Sequence, residues 1–266
     1  MVTSVLVDAL ELKEHLHDHE LVIVDTRGAA DYEEEHIPGA ISLPSGCLFD
    51  PEGVGSQMLS PAELERRLGA AGIDTAHSLV LYDTSGLVPS AKVFWVLERM
   101  GHPRVALLNG GFPQWVAHGL PTEQGSAPPP PTTFRAHLRD NVAGKEDVLA
   151  AIERGDALII DTRTPDEYHG RTQAHARNGH IPGARNVDWQ QHIVDLFDPT
   201  LIPYEQLEQL YDHIGARRDQ EIITYCRTAS RSSHTYFVLR LLGFTRVRNY
   251  AGSWMEWSED AELPME

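Results

Sequence analysis

LVIVDTRGAADYEEEHIPGAISLP, residues 21–44, decides the fold because it occurs twice in related form. The second version is ALIIDTRTPDEYHGRTQAHARNGHIPGARNV, residues 157–187. Each holds an apolar run, then Asp-Thr-Arg, an acidic residue before a tyrosine, and His-Ile-Pro-Gly-Ala. Self-similarity over such a length marks a repeated structural unit. Further on, LVLYDTSGLVPSAKVFWVLERMGHPRVALLNGGFPQW (79–115) returns as EIITYCRTASRSSHTYFVLRLLGFTRVRNYAGSWMEW (221–257), with its landmarks in the same order. Between the halves lies PTEQGSAPPPPTTFRAH (121–137), whose four consecutive prolines cannot continue a helix or a central strand. The organisation expected is a domain over 1–121, a Pro-rich linker over 122–140 and a second domain over 141–266.

Within each half, short apolar runs alternate with helical patterns, as in βαβ units around a parallel sheet, which makes the fold class α/β. Val22–Asp25 and Leu158–Asp161 are continuous rather than alternating in apolar residues, so they read as strands buried on both faces. SPAELERRLGAAG (60–72) predicts a helix with Ser60 as N-cap, Pro61 at its first position and Glu63 completing a capping box. PYEQLEQLYDHIG predicts a helix stopped at Gly215, and EDVLAAIERG one stopped at Gly155.

Composition narrows the function. The 39 acidic and 22 basic residues leave a formal charge of −17, which repels polyanions and argues against nucleic acid as a partner. No apolar run approaches the roughly 20 residues of a membrane span, and the N-terminus lacks a basic region before an apolar one. With only Cys47 and Cys226, no disulfide framework is indicated, and a reducing, cytoplasmic location is expected.

Against that acidic background, ITYCRTASRSS (223–233) stands out. Glu221–Tyr225 reads as a strand and SSHTYFVLRLLG (232–243) as a helix, so Cys226 falls in the turn from a strand's carboxyl end into a helix N-terminus. Ligands bind there in open α/β sheets. Unpaired N–H groups and the helix dipole favour an anion at such a turn. Arg227 and Arg231 add two charges, and Thr228, Ser230, Ser232 and Ser233 add hydroxyls. These surroundings favour a thiolate at Cys226, a nucleophile for an anionic substrate. The matching position in the first half is Asp83, in a loop that lacks both arginines and is one residue longer, so only the second half is expected to be active.

At these residues the chain resembles the tandem-domain rhodanese family of sulfurtransferases over nearly its whole length. The paired Asp-Thr-Arg and His-Ile-Pro-Gly-Ala motifs, LNGGFPQW, YAGSWMEW and the loop from Cys226 to Arg231 carry the resemblance. It implies two rhodanese-like domains, each a parallel sheet flanked by helices, with an inactive N-terminal and a catalytic C-terminal domain. It further implies Cys226 as the persulfide-forming residue, and Arg227, Thr228, Ala229, Ser230, Arg231 and Ser232 as the substrate-binding loop. Neither cofactor nor metal is implied. The Cys-x4-Arg spacing matches sulfur-transferring members, whereas related phosphatases carry a loop one residue longer. The pattern Cys-x-Thr-x-x-Arg-Ser is similar to bacterial thiosulfate sulfurtransferases, and lacks the glycines of the mercaptopyruvate enzymes; a 3-mercaptopyruvate sulfurtransferase and a persulfide carrier that docks on a partner are the alternative readings. The partners implied are a small sulfur donor, thiosulfate, and a thiophilic acceptor such as cyanide or a thiol, with a protein sulfur acceptor as an alternative. Many members carry a substrate-binding arginine just before the aromatic residue after Asp-x-Arg. Here Glu167 stands there, before Tyr168, which leaves Arg227 and Arg231 to hold the donor, with Arg171 or Arg177 of the 169–179 insertion as further candidates.

Other features read as structural. Asp161 with Arg163, and His180, recur as Asp25 with Arg27, and His36, in the half without a nucleophile. His15 and His19 lie one helical turn apart without further ligands at metal spacing. Cys47 has no cationic neighbours in sequence, and Trp254 and Trp257 are expected to pack the last helix, Trp254 near the mouth of the site.

Overall fold

A computed structural model describes residues 4–125, 129–172 and 176–266. Residues 126–128 of the expected linker and 173–175 of the 169–179 insertion lie outside the described residues. The chain forms two compact units: Met1–Phe49 with Met58–Arg139 and Ile193–Leu201, and Asp50–Gln57 with Asp140–His192 and Ile202–Glu266. Each unit is thus discontinuous in sequence, and neither follows the simple division at the prolines.

In the first unit, strands and helices alternate as β1 (Leu6–Val7), α1 (Ala9–Glu14), β2 (Leu21–Asp25), α2 (Ala29–Glu34), β3 (Ile41–Ser42), α3 (Pro61–Ala70), β4 (Ser78–Tyr82), α4 (Val88–Arg99), β5 (Val105–Leu108) and α5 (Gly111–Ala117). The second repeats this as β6 (Val142–Ala143), α6 (Lys145–Arg154), β7 (Leu158–Asp161), α7 (Pro165–Tyr168), β8 (Arg185–Asn186), α8 (Tyr204–His213), β9 (Ile222–Tyr225), α9 (Ser230–Leu241), β10 (Val247–Tyr250) and α10 (Ser253–Glu259). The sheets run β1-β5-β4-β2-β3 and β6-β10-β9-β7-β8, all pairs parallel. One α/β architecture is built twice, and β4 and β9 are the central strands.

The central strands are buried along their whole length and mostly apolar because both faces are covered. Ile159, Ile223, Tyr225 and Tyr250 pack with Trp254 and Trp257 in the second core, as Ile23, Val80, Tyr82 and Leu108 pack with Phe112 and Trp115 in the first. Helix boundaries follow the local signals. Ser60 Oγ accepts the Glu63 N–H at 3.3 Å, but the Glu63 carboxylate turns to Arg66 and Arg67 instead of closing the capping box. Gly155 ends α6 at φ 66, and Gly215 follows α8 at φ 77, both in the left-handed region that costs glycine least. Helix α9 begins two residues before the expected Ser232, which puts Arg231 in its first turn.

The end of the expected linker is not a free tether. Thr132 N–H donates to Gly69 O at 2.8 Å, His137 N–H to Met100 O at 2.9 Å and Arg139 N–H to Arg99 O at 2.9 Å, so this extended stretch lies along the first unit. In the second unit, residues 50–57 run beside the loop after β10. Ser56 N–H donates to Ala251 O at 2.9 Å, and a Cβ on Gly55 would fall 2.3 Å from that same carbonyl.

Among the described residues no helix is long and apolar enough to cross a membrane, and no group of three His, Cys, Asp or Glu side chains is arranged to hold a metal.

Candidate active site

The Asp-Thr-Arg motif builds the frame of each site. Asp161 accepts from the Arg163 backbone N–H at 2.9 Å, and its carboxylate takes the Arg163 side chain at 3.0 and 2.5 Å. Tyr225 O–H donates to Asp161 Oδ2 at 2.7 Å, and the same phenol oxygen accepts the Ile181 N–H at 3.1 Å, binding the His-Ile-Pro-Gly-Ala turn to the end of β9. Asp25 and Arg27 make the same bidentate pair in the first unit, and Tyr82 accepts the Ile37 N–H at 3.2 Å. A network present on both sides, with Cys226 on only one, is architectural. His180 and His36 belong to it: each stacks on the tyrosine of its own motif, Tyr168 or Tyr32.

The two central strands end differently. Asp83, after β4, is fully enclosed and accepts from Ser85 N–H at 2.6 Å, Ser90 N–H at 3.0 Å and Ser90 Oγ–H at 2.5 Å. Burial pushes its carboxyl above the usual range, and the donors from Ser90 and Ser85 work against that shift. The turn into α4 therefore wraps an acidic side chain with N–H donors, as a helix N-terminus can. After β9 the matching turn holds Cys226, 1% exposed. Ala229 caps α9 from the left-handed region at φ 60, just as Leu87 caps α4 at φ 63.

Two backbone bonds fix the cysteine. Cys226 N–H donates to Ser253 Oγ at 3.3 Å, and Cys226 O accepts from Trp254 N–H at 3.0 Å. Thr228 O accepts from the hydroxyl of Ser56, which is 2% exposed. The remaining loop residues divide. Arg227 is exposed, with its carbonyl held by Met255 N–H at 3.0 Å. Thr228 and Ser230 are half-buried, their hydroxyl oxygens 3.5 Å apart. Ser232 departs from the expectation of a substrate contact: fully buried, it donates to Asn249 Oδ1 at 2.7 Å, because the first turn of α9 points it at β10. Ser233 likewise donates to Ala229 O, at 2.6 Å, and stiffens the turn.

Arg231 is where the electrostatics depart most from the sequence. Its two terminal nitrogens donate to the two oxygens of Glu167, at 2.7 and 2.8 Å. Burial works against the charged form of Arg231, but the Glu167 hydrogen bonds and the nearby charges of Cys226 and Glu167 keep it firmly ionised. Burial likewise opposes ionisation of Glu167, and Arg231 outweighs it, bringing that carboxyl down to about 2. The other candidate arginines are engaged too. Arg171 pairs with Asp166 at 2.8 Å. Arg177 donates to the carbonyls of Trp257, Ser258, Asp260 and Leu263, a structural clamp after α10. Trp254 is wholly buried under Arg163, whose guanidinium carbon lies 4.5 Å from the ring centre, so its side chain does not open onto solvent. Cys47 sits in a 3-10 turn of the first unit, where burial pushes its thiol up.

Three contributors escaped the sequence reading: Ser253, Asn249 and Ser56. Ser253 left a trace, since YAGSW aligns with LNGGF and a serine replaces the second glycine. Asn249 and Ser56 left none.

Comparison with known proteins matches the rhodanese-like domain to residues 8–118 and again to 145–260. A thiosulfate sulfurtransferase of Pseudomonas aeruginosa is 31% identical over 98% of this chain and 96% of its own length. A sulfur carrier protein of Thermus thermophilus is 34% identical over 98% of this chain and 96% of its own. The crystal structure of a 3-mercaptopyruvate sulfotransferase from Escherichia coli superposes with a TM-score of 0.84 at 28% identity, covering 95% of this chain and 99% of that one.

Proposed function

The chain belongs to the rhodanese family, and on that premise we propose that it is a sulfurtransferase that moves sulfane sulfur from thiosulfate to cyanide or a thiol through a persulfide on Cys226. The observation that carries this reading is the pair of sister turns. The first closes its donors around the Asp83 carboxyl, and the second offers the same strand-to-helix turn to Cys226. Backbone and hydroxyl donors converge on that position in the first turn, and donors so placed suit a thiolate and, after reaction, a persulfide.

In the first step the Cys226 thiolate attacks the outer sulfur of thiosulfate. A Sγ–S bond forms, the S–S bond of the donor breaks, and sulfite leaves with the bonding electrons. In the second, the acceptor attacks the terminal sulfur and regenerates the thiolate. No net oxidant is required, because the sulfur moves without changing its oxidation state. The N–H groups of residues 227–231 cradle the persulfide between the steps. The likeness to a sulfur carrier protein supports a protein thiol as an alternative final acceptor.

Intact-protein mass spectrometry after thiosulfate, and again after cyanide, tests the reading. A gain of one sulfur atom at Cys226, removed by cyanide as thiocyanate and absent in Cys226→Ser, is the expected result. Loading that persists in Cys226→Ser would overturn it.

A further inference from the structure

Thr162, the middle residue of the second Asp-Thr-Arg, carries a hydroxyl that the frame does not use. The residue is fully buried, and its Oγ1 makes no hydrogen bond. A hydroxyl removed from water without a partner is unfavourable, so the position calls for a reason.

The sister residue shows what the frame alone requires. Thr26 Oγ1–H donates to Tyr82 O at 2.9 Å and lies 3.3 Å from Ser90 Oγ, whose own proton goes to Asp83 Oδ2. In the second unit that chain is broken. Ser232, which matches Ser90, donates to Asn249 Oδ1 at 2.7 Å, and Thr224 Oγ1–H shares the same acceptor at 3.2 Å. Asn249 stands where the first unit has Leu107, and its amide also donates to Ala229 O at 3.2 Å and to Ser233 Oγ at 3.1 Å. It gathers the hydroxyls at the start of α9 and leaves that of Thr162 unengaged.

Sheet register gives Thr162 its neighbour. Asp161 pairs with Tyr225, and Thr162 N–H continues the ladder to Tyr225 O at 2.9 Å, so Thr162 and Cys226 come next. Asp161 and Tyr225 share one face, where phenol meets carboxylate at 2.7 Å. Side chains alternate along a strand, which turns Thr162 and Cys226 together to the opposite face. Thr224 lies on that face too and donates to Ser232 O of α9. Adjacent strands are about 4.8 Å apart, so the hydroxyl and the sulfur stand side by side. A neutral thiol is a weak acceptor, whereas a thiolate is a strong one.

We propose that Thr162 is a further catalytic residue of the Cys226 site: its hydroxyl donates to the cysteine sulfur when that sulfur is ionised, before attack on the donor and again once sulfur has been passed on. This rests on the sulfurtransferase reading and adds one side chain to its N–H cradle. Because the hydroxyl is unbonded beside the thiol, the bond is gained only on ionisation and favours the nucleophilic form. In the first unit the same hydroxyl serves the fold.

The experiment follows alkylation of Cys226 by iodoacetamide across the pH range, read on the peptide that carries it, in wild type, Thr162→Val, Thr162→Ser and Thr26→Val. Unfolding midpoints in denaturant accompany each. The pH of half-maximal alkylation should rise by about 1 in Thr162→Val, as expected for loss of a hydrogen bond to a charged group. It should return to the wild-type value in Thr162→Ser, which keeps the donor. The neighbouring charges, Arg231 with Glu167, Arg163 with Asp161, Asp188 and the exposed Arg227, are common to all four proteins, so the shift reports the hydroxyl. The midpoint of Thr162→Val should not fall, because no bond is lost. Thr26→Val should lower the midpoint and leave alkylation of Cys226 unchanged. An unmoved profile in Thr162→Val, or a shift that serine does not reverse, overturns the proposal and leaves the sulfurtransferase reading intact. Failure of wild-type Cys226 to gain sulfur from thiosulfate overturns that reading, and the proposal with it. If Thr162→Val does not fold, Thr162→Ala takes its place under the same expectations, and failure of both to fold would make Thr162 structural and overturn the proposal.

Discussion

Ser253 holds the Cys226 N–H on its hydroxyl at 3.3 Å, and it does so from a left-handed backbone, φ 53. The first unit has Gly111 at the matching place, φ 60, where a Cβ would fall 2.2 Å from Asp83 O. The second unit therefore carries a side chain where its sister tolerates none, and that side chain reaches the backbone of Cys226. Ser253→Ala keeps the backbone strain and leaves a buried N–H without its acceptor, so it should lose about 1–2 kcal/mol. Ser253→Gly loses the same acceptor but relieves about 1 kcal/mol of strain, and should unfold close to wild type. Denaturant titration checks both; equal destabilisation of the two variants would refute the strain argument. Sulfur loading of Cys226 should fall in each.

The Glu167–Arg231 pair has a stability signature. The folded carboxyl titrates near 2 against an ordinary 4.5, a depressed value, so its contribution is fully present above about 4.5 and is lost as pH falls towards 2. That contribution is at most about 3 kcal/mol. The stability gap between wild type and Glu167→Gln should thus be flat from pH 5 to 8 and close in acid. Unfolding curves across pH 2–8 provide the check, and a gap that persists unchanged at pH 3 counts against it.

Arg177 should matter to the fold and not to the donor. Its guanidinium serves the carbonyls of Trp257 and Ser258, in the last turn of α10, and those of Asp260 and Leu263 beyond it. Arg177→Ala should cost about 2–3 kcal/mol and expose the last residues to carboxypeptidase, with KM for the donor unchanged. A raised KM at unchanged stability would return Arg177 to the substrate site.

Gly55→Ala tests the stretch beside the turn after β10. A methyl group there meets Ala251 O at 2.3 Å from a backbone at φ 73, and should cost about 2–4 kcal/mol. Ser56→Ala, which removes only the bond to Thr228 O, should cost about 1 kcal/mol and slow loading of Cys226. Wild-type loading in Ser56→Ala would mean that the turn needs no such brace.

What the sequence discloses here is local or repeated. The Asp-Thr-Arg strands, the Ser60 and Gly155 helix ends and the strand-to-helix turn at Cys226 follow from neighbouring residues, and duplication showed which shared polar groups are architectural. The partnership of Glu167 with Arg231 spans 64 positions and depends on how β7 and β9 lie side by side. Arg231 consequently looks available in sequence and is occupied in space. Ser232 misled for a related reason. Its hydroxyl belongs to the loop by order, but the start of α9 at Ser230 rotates it toward Asn249.

The discontinuity of the units bears on how the chain is made. Residues 193–201 belong to the first unit: Leu201 N–H donates to Asn109 Oδ1 at 2.9 Å, and Gln114 Nε2–H to Asp198 Oδ1 at 2.9 Å. During synthesis from the N-terminus, the first unit therefore waits for a segment translated long after the prolines, while the second must recruit residues 50–57, translated long before them. Nascent chains halted just past residue 140 should accordingly be more protease-sensitive in the first unit than chains halted past 201. Each unit is thus completed only by residues encoded on the far side of the prolines from the rest of it.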